Sequence, residues 1–253
     1  MHFTKFFSVV ERDLEILNPI SHEKLMLLAD YCSVGEGDRV LDVGSGKGYM
    51  LRRWAERFGI EGTGVEINPS FVAQARSRAS AEGVGGAVTF VEVDARDFSA
   101  DPEGYNVVSC IGAPFAIGSF EEAVQWMLAA LKPSGVLAIG DVFLRAQLSE
   151  EAAERESVAV GDFRTLEQSA AVLEGHGLAM DGLIAASEDD WDRYASASWR
   201  GARSWAAANP EDPDRAEILG LTDGYRQRHL RFTRLHLGWA MFVARRAVEE
   251  SSE

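Results

Sequence analysis

The sequence holds only two cysteines, Cys32 and Cys110, too few for a disulfide framework or a four-ligand zinc site. Both are expected as buried apolar side chains in a reducing compartment. No apolar run reaches the roughly 18 residues of a transmembrane helix. The opening Met1-His2-Phe3-Thr4-Lys5-Phe6-Phe7 meets Glu11 and Asp13 before a signal-peptide core could form, so a cytoplasmic protein is expected. Positive charge is also scarce: Lys and Arg number 25 against 40 Asp and Glu, a net charge of −15. Such a field repels phosphate backbones and anionic lipid, so neither nucleic acid nor membrane is an expected partner. What remains, at 253 residues with 46% hydrophobic and 26% charged, is an ordinary globular chain able to bury a two-sided core.

Apolar runs alternate with amphipathic helices. Arg39-Val40-Leu41-Asp42-Val43 reads as a first strand, followed by glycines and a helix through Met50, Leu51, Trp54 and Phe58 that Gly59 stops. A second strand over 62–67 leads to Asn68-Pro69, an N-cap with proline at the first helical position, and a face of Phe71, Val72, Ala75 and Ala79. Strands three and four are expected over 87–93 and 105–111. Ser119-Phe120-Glu121-Glu122 is a capping box, and Lys132-Pro133-Ser134-Gly135 a turn into a fifth strand over 136–140. Thr165-Leu166-Glu167-Gln168 opens a further helix ending near Gly177, with strands expected over 181–186 and 237–244. Nearly continuous apolar strands separated by helices point to a parallel sheet covered on both faces. About fifty residues of helical pattern before the last strand exceed what a sheet connection needs and are expected to form a lid or substrate wall, as are the first thirty-five. The acidic tail over 249–253 is expected to fray.

The sharpest constellation is Asp42-Val43-Gly44-Ser45-Gly46-Lys47-Gly48, between strand and helix. Glycines there let a ligand approach the backbone, and the helix start adds unpaired N–H groups. Glu66, at the end of the second strand, can accept both hydroxyls of a ribose. A dinucleotide site needs G-x-G-x-x-G, whereas this loop is G-x-G-x-G. Asp42 would repel a pyrophosphate but pair with an α-ammonium, which favours a ligand combining an amino acid and a nucleoside.

The segment resembles motif I of the class I S-adenosylmethionine (SAM)-dependent methyltransferases. Val93-Asp94-Ala95, Cys110-Ile111-Gly112 and Leu131-Lys132-Pro133-Ser134-Gly135 resemble that family's later motifs in order, over residues 38–143. The resemblance implies an α/β, Rossmann-like doubly wound sheet of seven strands, order 3-2-1-4-5-7-6 with strand seven antiparallel. It implies a SAM site in which Asp42 holds the methionine amine and Gly44, Ser45 and Gly46 give backbone contacts. Glu66 would take the ribose, Asp94, Ala95 and Ile111 would frame adenine, and Ile67 would also contact the cofactor. S-adenosylhomocysteine would be the product. The expected organisation is a single domain over 1–253, with a helical cap over 1–35, a SAM-binding core over 36–146 and the remaining sheet with its helical insertion over 147–246.

Methyl transfer needs alignment and exclusion of water, and a base only when the acceptor carries a proton. After the fourth strand Gly112-Ala113-Pro114-Phe115 lacks the Asp/Asn-Pro-Pro-aromatic element of amino-methyltransferases, so a small-molecule acceptor is expected. Candidate bases are His22 and Asp141; His176, at a helix end before Gly177, reads as structural. Trp191, Tyr194, Ala195, Ser198, Trp199, Ala202 and Trp205 share one helix face, a packing surface or a wall for a flat acceptor, with Trp191 and Tyr194 the substrate candidates. Arg226, Arg228, His229, Arg231, Arg234 and His236 read as a solvated basic face. No metal-ligating set is evident. A nicotinamide-dependent oxidoreductase and a non-catalytic SAM-binding module are the rival functions.

Overall fold

The computed structural model describes residues 1–146, 148–156 and 163–247. In chain order the elements are α1 (Phe3–Val10), α2 (His22–Tyr31), β1 (Arg39–Val43), α3 (Tyr49–Phe58), β2 (Glu61–Glu66), α4 (Pro69–Ala81), β3 (Val88–Glu92) and β4 (Tyr105–Ile111). They continue as α5 (Phe120–Ala130), β5 (Leu131–Leu144), α6 (Glu150–Arg155), α7 (Leu166–Gly175), β6 (Leu178–Ala185), α8 (Glu188–Ala208) and α9 (Arg215–Arg228). A π-helical turn (His229–Thr233), a short turn α10 (Arg234–His236) and β7 (Leu237–Arg246) complete the set. None of the described helices is long and apolar enough to cross a membrane.

The chain forms two compact units. The first, which we call the core unit, joins Glu23–Asp141, Leu166–Ile184 and Ala240–Glu253; the second joins Met1–His22, Val142–Thr165 and Ala185–Trp239. The seven-stranded sheet has the order β3-β2-β1-β4-β5-β7-β6, with β7 antiparallel. β1 lies between β2 and β4, both parallel to it, with Asp42 registered opposite Gly64 on one side and Ser109 on the other. Four of the five β1 residues are buried, the result of helices covering both faces of a parallel sheet. The register therefore brings the carboxyl ends of β1, β2 and β4 to one edge, where the loops that follow them converge.

Helix limits follow the local signals. Asn68 Oδ1 accepts from the Ser70 N–H at 3.1 Å, capping α4 ahead of Pro69. Ser119 and Glu122 make the reciprocal capping box that starts α5. One expectation needs correcting: Lys132-Pro133-Ser134-Gly135 does not separate a helix from a later strand. β5 begins at Leu131, which pairs with Tyr105, and Val136 pairs with Val107, so the four residues bulge out of a continuous ladder. Among the described residues β3 has a single neighbouring strand, β2, and on its other side the Phe90 carbonyl accepts from Arg76 Nε and Nη2 at 3.2 and 2.7 Å. Cys32 and Cys110 are buried and unbridged, and burial pushes the Cys32 thiol up to about 12.

The second unit has its own core of Phe6, Val9, Val10, Ala202 and Ile218, contributed by α1, α8 and α9. Gly201 makes that packing possible, because a Cβ there would lie 2.8 Å from the Val10 carbonyl oxygen. Lys5 Nζ joins Asp212 and Asp214 at 2.8 and 2.6 Å. A second cluster, Phe232 and Leu237, collects Val142, Leu144, Leu148, Phe163 and Trp191. The basic face is matched by acids: Arg231 forms a fork with Glu156, Arg226 pairs with Asp223, and Arg234 pairs with Asp192 and Glu188. The acidic tail over 249–253 lies outside the described residues.

Candidate functional site

Leaving β1, the chain turns sharply because Gly44, Gly46 and Gly48 take φ of +72°, +54° and +68°. The turn is pinned to β2: the N–H groups of Gly44 and Ser45 both donate to the Val65 carbonyl, at 2.8 and 3.0 Å. A Cβ on Gly44 would come within 2.4 Å of the Ala113 Cβ, and one on Gly48 within 2.3 Å of the Phe90 ring. The loop is thus held close to the segment after β4 on one side and to β3 on the other. Ser45 Oγ is buried with no hydrogen-bond partner among the described residues.

Two carboxylates face this loop. Glu66 Oε2 accepts from the Gly46 N–H at 2.9 Å, and Oε1 from the Asn68 N–H at 2.8 Å. Burial pushes the Glu66 carboxyl up, and those backbone donors partly offset the rise. Asp42 is 5% exposed, and its Oδ1 accepts from Ser109 Oγ at 2.8 Å. Burial lifts its carboxyl to about 7; Ser109 works against the shift, and the negative charge of Glu66 adds to it. A buried acid beside a half-buried one on neighbouring strand ends, with the charge of Glu66 raising the cost of ionising Asp42, makes a site that suits a cation and rejects a phosphate.

A family model described as a methyltransferase domain matches residues 40–135. The protein YjhP of Escherichia coli (strain K12) is 34% identical over 245 residues, 96% of this chain and 98% of that one. A SAM-dependent methyltransferase from Geobacter sulfurreducens, solved in complex with S-adenosyl-L-homocysteine, is 33% identical, with a TM-score of 0.88 over 95% of this chain and 97% of that one. The chain belongs to the SAM-dependent methyltransferase family. Among its relatives, the erythromycin 3''-O-methyltransferase of Saccharopolyspora erythraea is 34% identical over 127 residues, 50% of this chain but only 42% of that enzyme.

Against the methyltransferase motifs, the remaining expected residues fall as follows. Ile67 is half exposed beside Glu66, while Ala95 and Ile111 are buried. The Val93 N–H donates to the Glu66 carbonyl at 3.1 Å, fixing the turn into Asp94 against the end of β2. Asp94 is tied to its neighbour Arg96, with Oδ1 to Nε at 2.9 Å and Oδ2 to Nη2 at 2.6 Å. The Arg96 guanidinium and backbone N–H hold the Asp94 carboxyl down to about 2. Sequence reasoning passed over Ser109, the one serine in the strand Tyr105–Ile111 and the direct partner of Asp42. It also passed over Lys47, 1% exposed within the loop with its ammonium 5.7 Å from the Phe71 ring centre.

The acceptor-side candidates divide between the two units: Asp141 and His176 belong to the core unit, and His22, Trp191 and Tyr194 to the second. Asp141 is half buried in β5 of the core unit, and His22 is exposed at the start of α2. His176 Nδ1 donates to the Val172 carbonyl at 2.9 Å and Nε2 accepts from Gln125 Nε2 at 3.1 Å, which fits its structural reading. Within the second unit, Trp191 packs against Phe232 and Leu237, and Tyr194 donates its hydroxyl to Glu11 Oε1 at 2.7 Å.

Proposed function

We propose that the chain binds SAM in the core unit and transfers its methyl group to a small-molecule acceptor by in-line displacement. The observation that carries the reading is the pair Asp42 and Glu66 around the glycine turn, since SAM brings an ammonium, a sulfonium and a ribose diol to one place. The fit to this cofactor is specific to the donor set: a buried acid for the amine, a glycine turn with no room for Cβ atoms at Gly44 and Gly48 that lets a ligand approach the backbone, and a carboxylate already oriented by two N–H groups for the diol. Asp42 would orient the amine, with Ser109 keeping its carboxylate pointed into the loop. Glu66 would take the ribose hydroxyls, with Ile67 lying over the sugar. Ala95 and Ile111 would close on adenine, and Asp94 retains lone pairs for the adenine amino group beside its Arg96 contacts.

When bound, SAM supplies an already activated methyl carbon, so the protein's own work is alignment and exclusion of water. The erythromycin enzyme's name and the net charge of −15 support a small acceptor handled in the cytoplasm over a nucleic acid. The cap, core and insertion would act as one methyltransferase domain. Calorimetric titration with SAM, S-adenosylhomocysteine and NAD tests the cofactor: both sulfur nucleosides should bind and NAD should not. Radiolabel from SAM appearing in metabolites of a cell extract would then separate an enzyme from a non-catalytic SAM-binding module.

A further inference from the structure

The second unit carries a helix face that its own packing leaves bare. Helix α9 turns Ile218 and Thr222 inward, and Ile218 joins the core of Phe6, Val9, Val10 and Ala202. On its outer side Leu221 and Tyr225, four residues apart, are 43% and 57% exposed, a large apolar row facing solvent. Phe3 of α1, 56% exposed, widens the area: Phe6, one turn on, meets the Tyr225 ring with centres 5.9 Å apart. Beside that row runs a second one with almost no side chain, Ala216, Gly220 and Gly224, all exposed.

Glycine inside a helix costs stability, so each one needs a reason. Gly201 has one in the nearby Val10 carbonyl. Gly220 and Gly224 do not: neither takes a left-handed backbone, and a Cβ on either would meet nothing within 4 Å. An occupant of this face must therefore be apolar and bring bulk to the level of the glycines. A second α9 does both. In an antiparallel pair about a two-fold axis level with the midpoint of Thr222 and Asp223, residues equally far from that point share a level. Leu221 then lies beside the partner's Gly224, and Tyr225 beside the partner's Gly220, so each level sets a large side chain against an absent one. The outer level sets Glu217, half exposed, against the partner's Arg228, and Arg228 forms no ion pair among the described residues. A parallel pair would stack each row on itself and Arg228 on its own copy. Complementarity in both shape and charge under one rotation is what an isologous contact requires.

We propose that the chain pairs with a second copy of itself through antiparallel α9 helices, with Leu221 and Tyr225 seated over the partner's glycines, Phe3 at the rim, and Glu217 and Arg228 as the charged ends. The glycines let the two backbones approach, and the apolar row supplies the area that leaves water.

Sedimentation equilibrium of the full chain tests the pairing. Wild type should show twice the mass of one chain at about 100 µM and dissociate on dilution. Because open space surrounds both glycine Cβ positions, the double variant G220Q/G224Q should fold and, at dilutions where both proteins are monomeric, melt at or above the wild-type temperature. It should nonetheless weaken the dimer about tenfold or more. E217R and R228E should each weaken it by a similar factor, and E217R/R228E together should restore it to within about threefold of wild type. A wild type that stays monomeric at that concentration overturns the proposal. So does a dimer that G220Q/G224Q leaves unchanged, or one that the paired charge reversal leaves as weak as the single ones. Should a charge variant fail to fold, judged by circular dichroism, G220Q/G224Q decides alone, since it adds helix-forming residues where nothing obstructs them.

Discussion

The Gly46 N–H donates to Glu66 Oε2 at 2.9 Å, so the carboxylate expected to read a ribose is also a clamp on the loop that lies against it. One side chain thus links the end of β2 to the turn after β1, and the site is shaped before a ligand arrives. Replacing Glu66 with glutamine keeps an acceptor oxygen but loses the charge. We expect E66Q to weaken S-adenosylhomocysteine binding by about 1–3 kcal/mol, and E66A to do so further while lowering the melting temperature. Calorimetry and thermal unfolding read the two effects apart.

The Asp42 carboxyl carries a pH signature. Its value rises from 3.8 to about 7 in the folded protein, so between those limits the folded state binds more protons than the unfolded one. The contribution of this group to stability is therefore complete at low pH and is lost as pH rises towards about 7. Pairing with a ligand ammonium favours the carboxylate, so binding slightly below neutral pH should release up to about one proton. Calorimetry in buffers of differing ionisation enthalpy measures that release, which should vanish in D42N. In S109A the lost hydroxyl should move the release to higher pH, because Ser109 is what holds the carboxyl down.

Two glycines separate backbone strain from crowding. Gly48 and Gly83 share a left-handed conformation, at φ +68° and +77°, but a Cβ at Gly48 meets the Phe90 ring whereas one at Gly83 meets nothing within 4 Å. G83A should cost about 1–2 kcal/mol for the conformation alone. G48A should cost that and more, and it should also reduce cofactor affinity. Chemical denaturation of both variants gives the difference.

Tyr194 tests whether the aromatic face of α8 packs or binds. Its hydroxyl donates to Glu11, itself 4% exposed, and burial together with that carboxylate holds the phenol well above its usual range. Y194F should destabilise the fold by about 1–2 kcal/mol through the lost bond. Unchanged stability in denaturant titrations would return the residue to the acceptor side.

Much of the core was legible because its signals are local. The limits of α3, α4 and α5 follow from Gly59, Asn68-Pro69 and the Ser119 box, and of the five strands 3-2-1-4-5 all but β2, whose one large apolar residue is Val65, stand out as apolar runs. The bulge at Lys132-Pro133-Ser134-Gly135 was not, because a turn signal cannot say whether the ladder resumes in the same strand. Ser109 could not be assigned to Asp42 from spacing alone, since the two meet only through the parallel register of β1 and β4. Arg96 beside Asp94 was visible, but its guanidinium folding back on the carboxylate depends on the geometry of the turn. The second unit was least legible: nothing local says that Glu11 will meet Tyr194 or that His229 will meet Asp192.

The Arg76 fork on the Phe90 carbonyl reaches beyond this site. A border strand offers its outward backbone groups to any extended chain that drifts past, and such pairing seeds aggregates. With that carbonyl already taken and a cation placed over it, an incoming strand would have to expel a guanidinium before it could register. R76A would leave the sheet intact and turn its margin into an adhesive one, with self-association on concentration as the visible result.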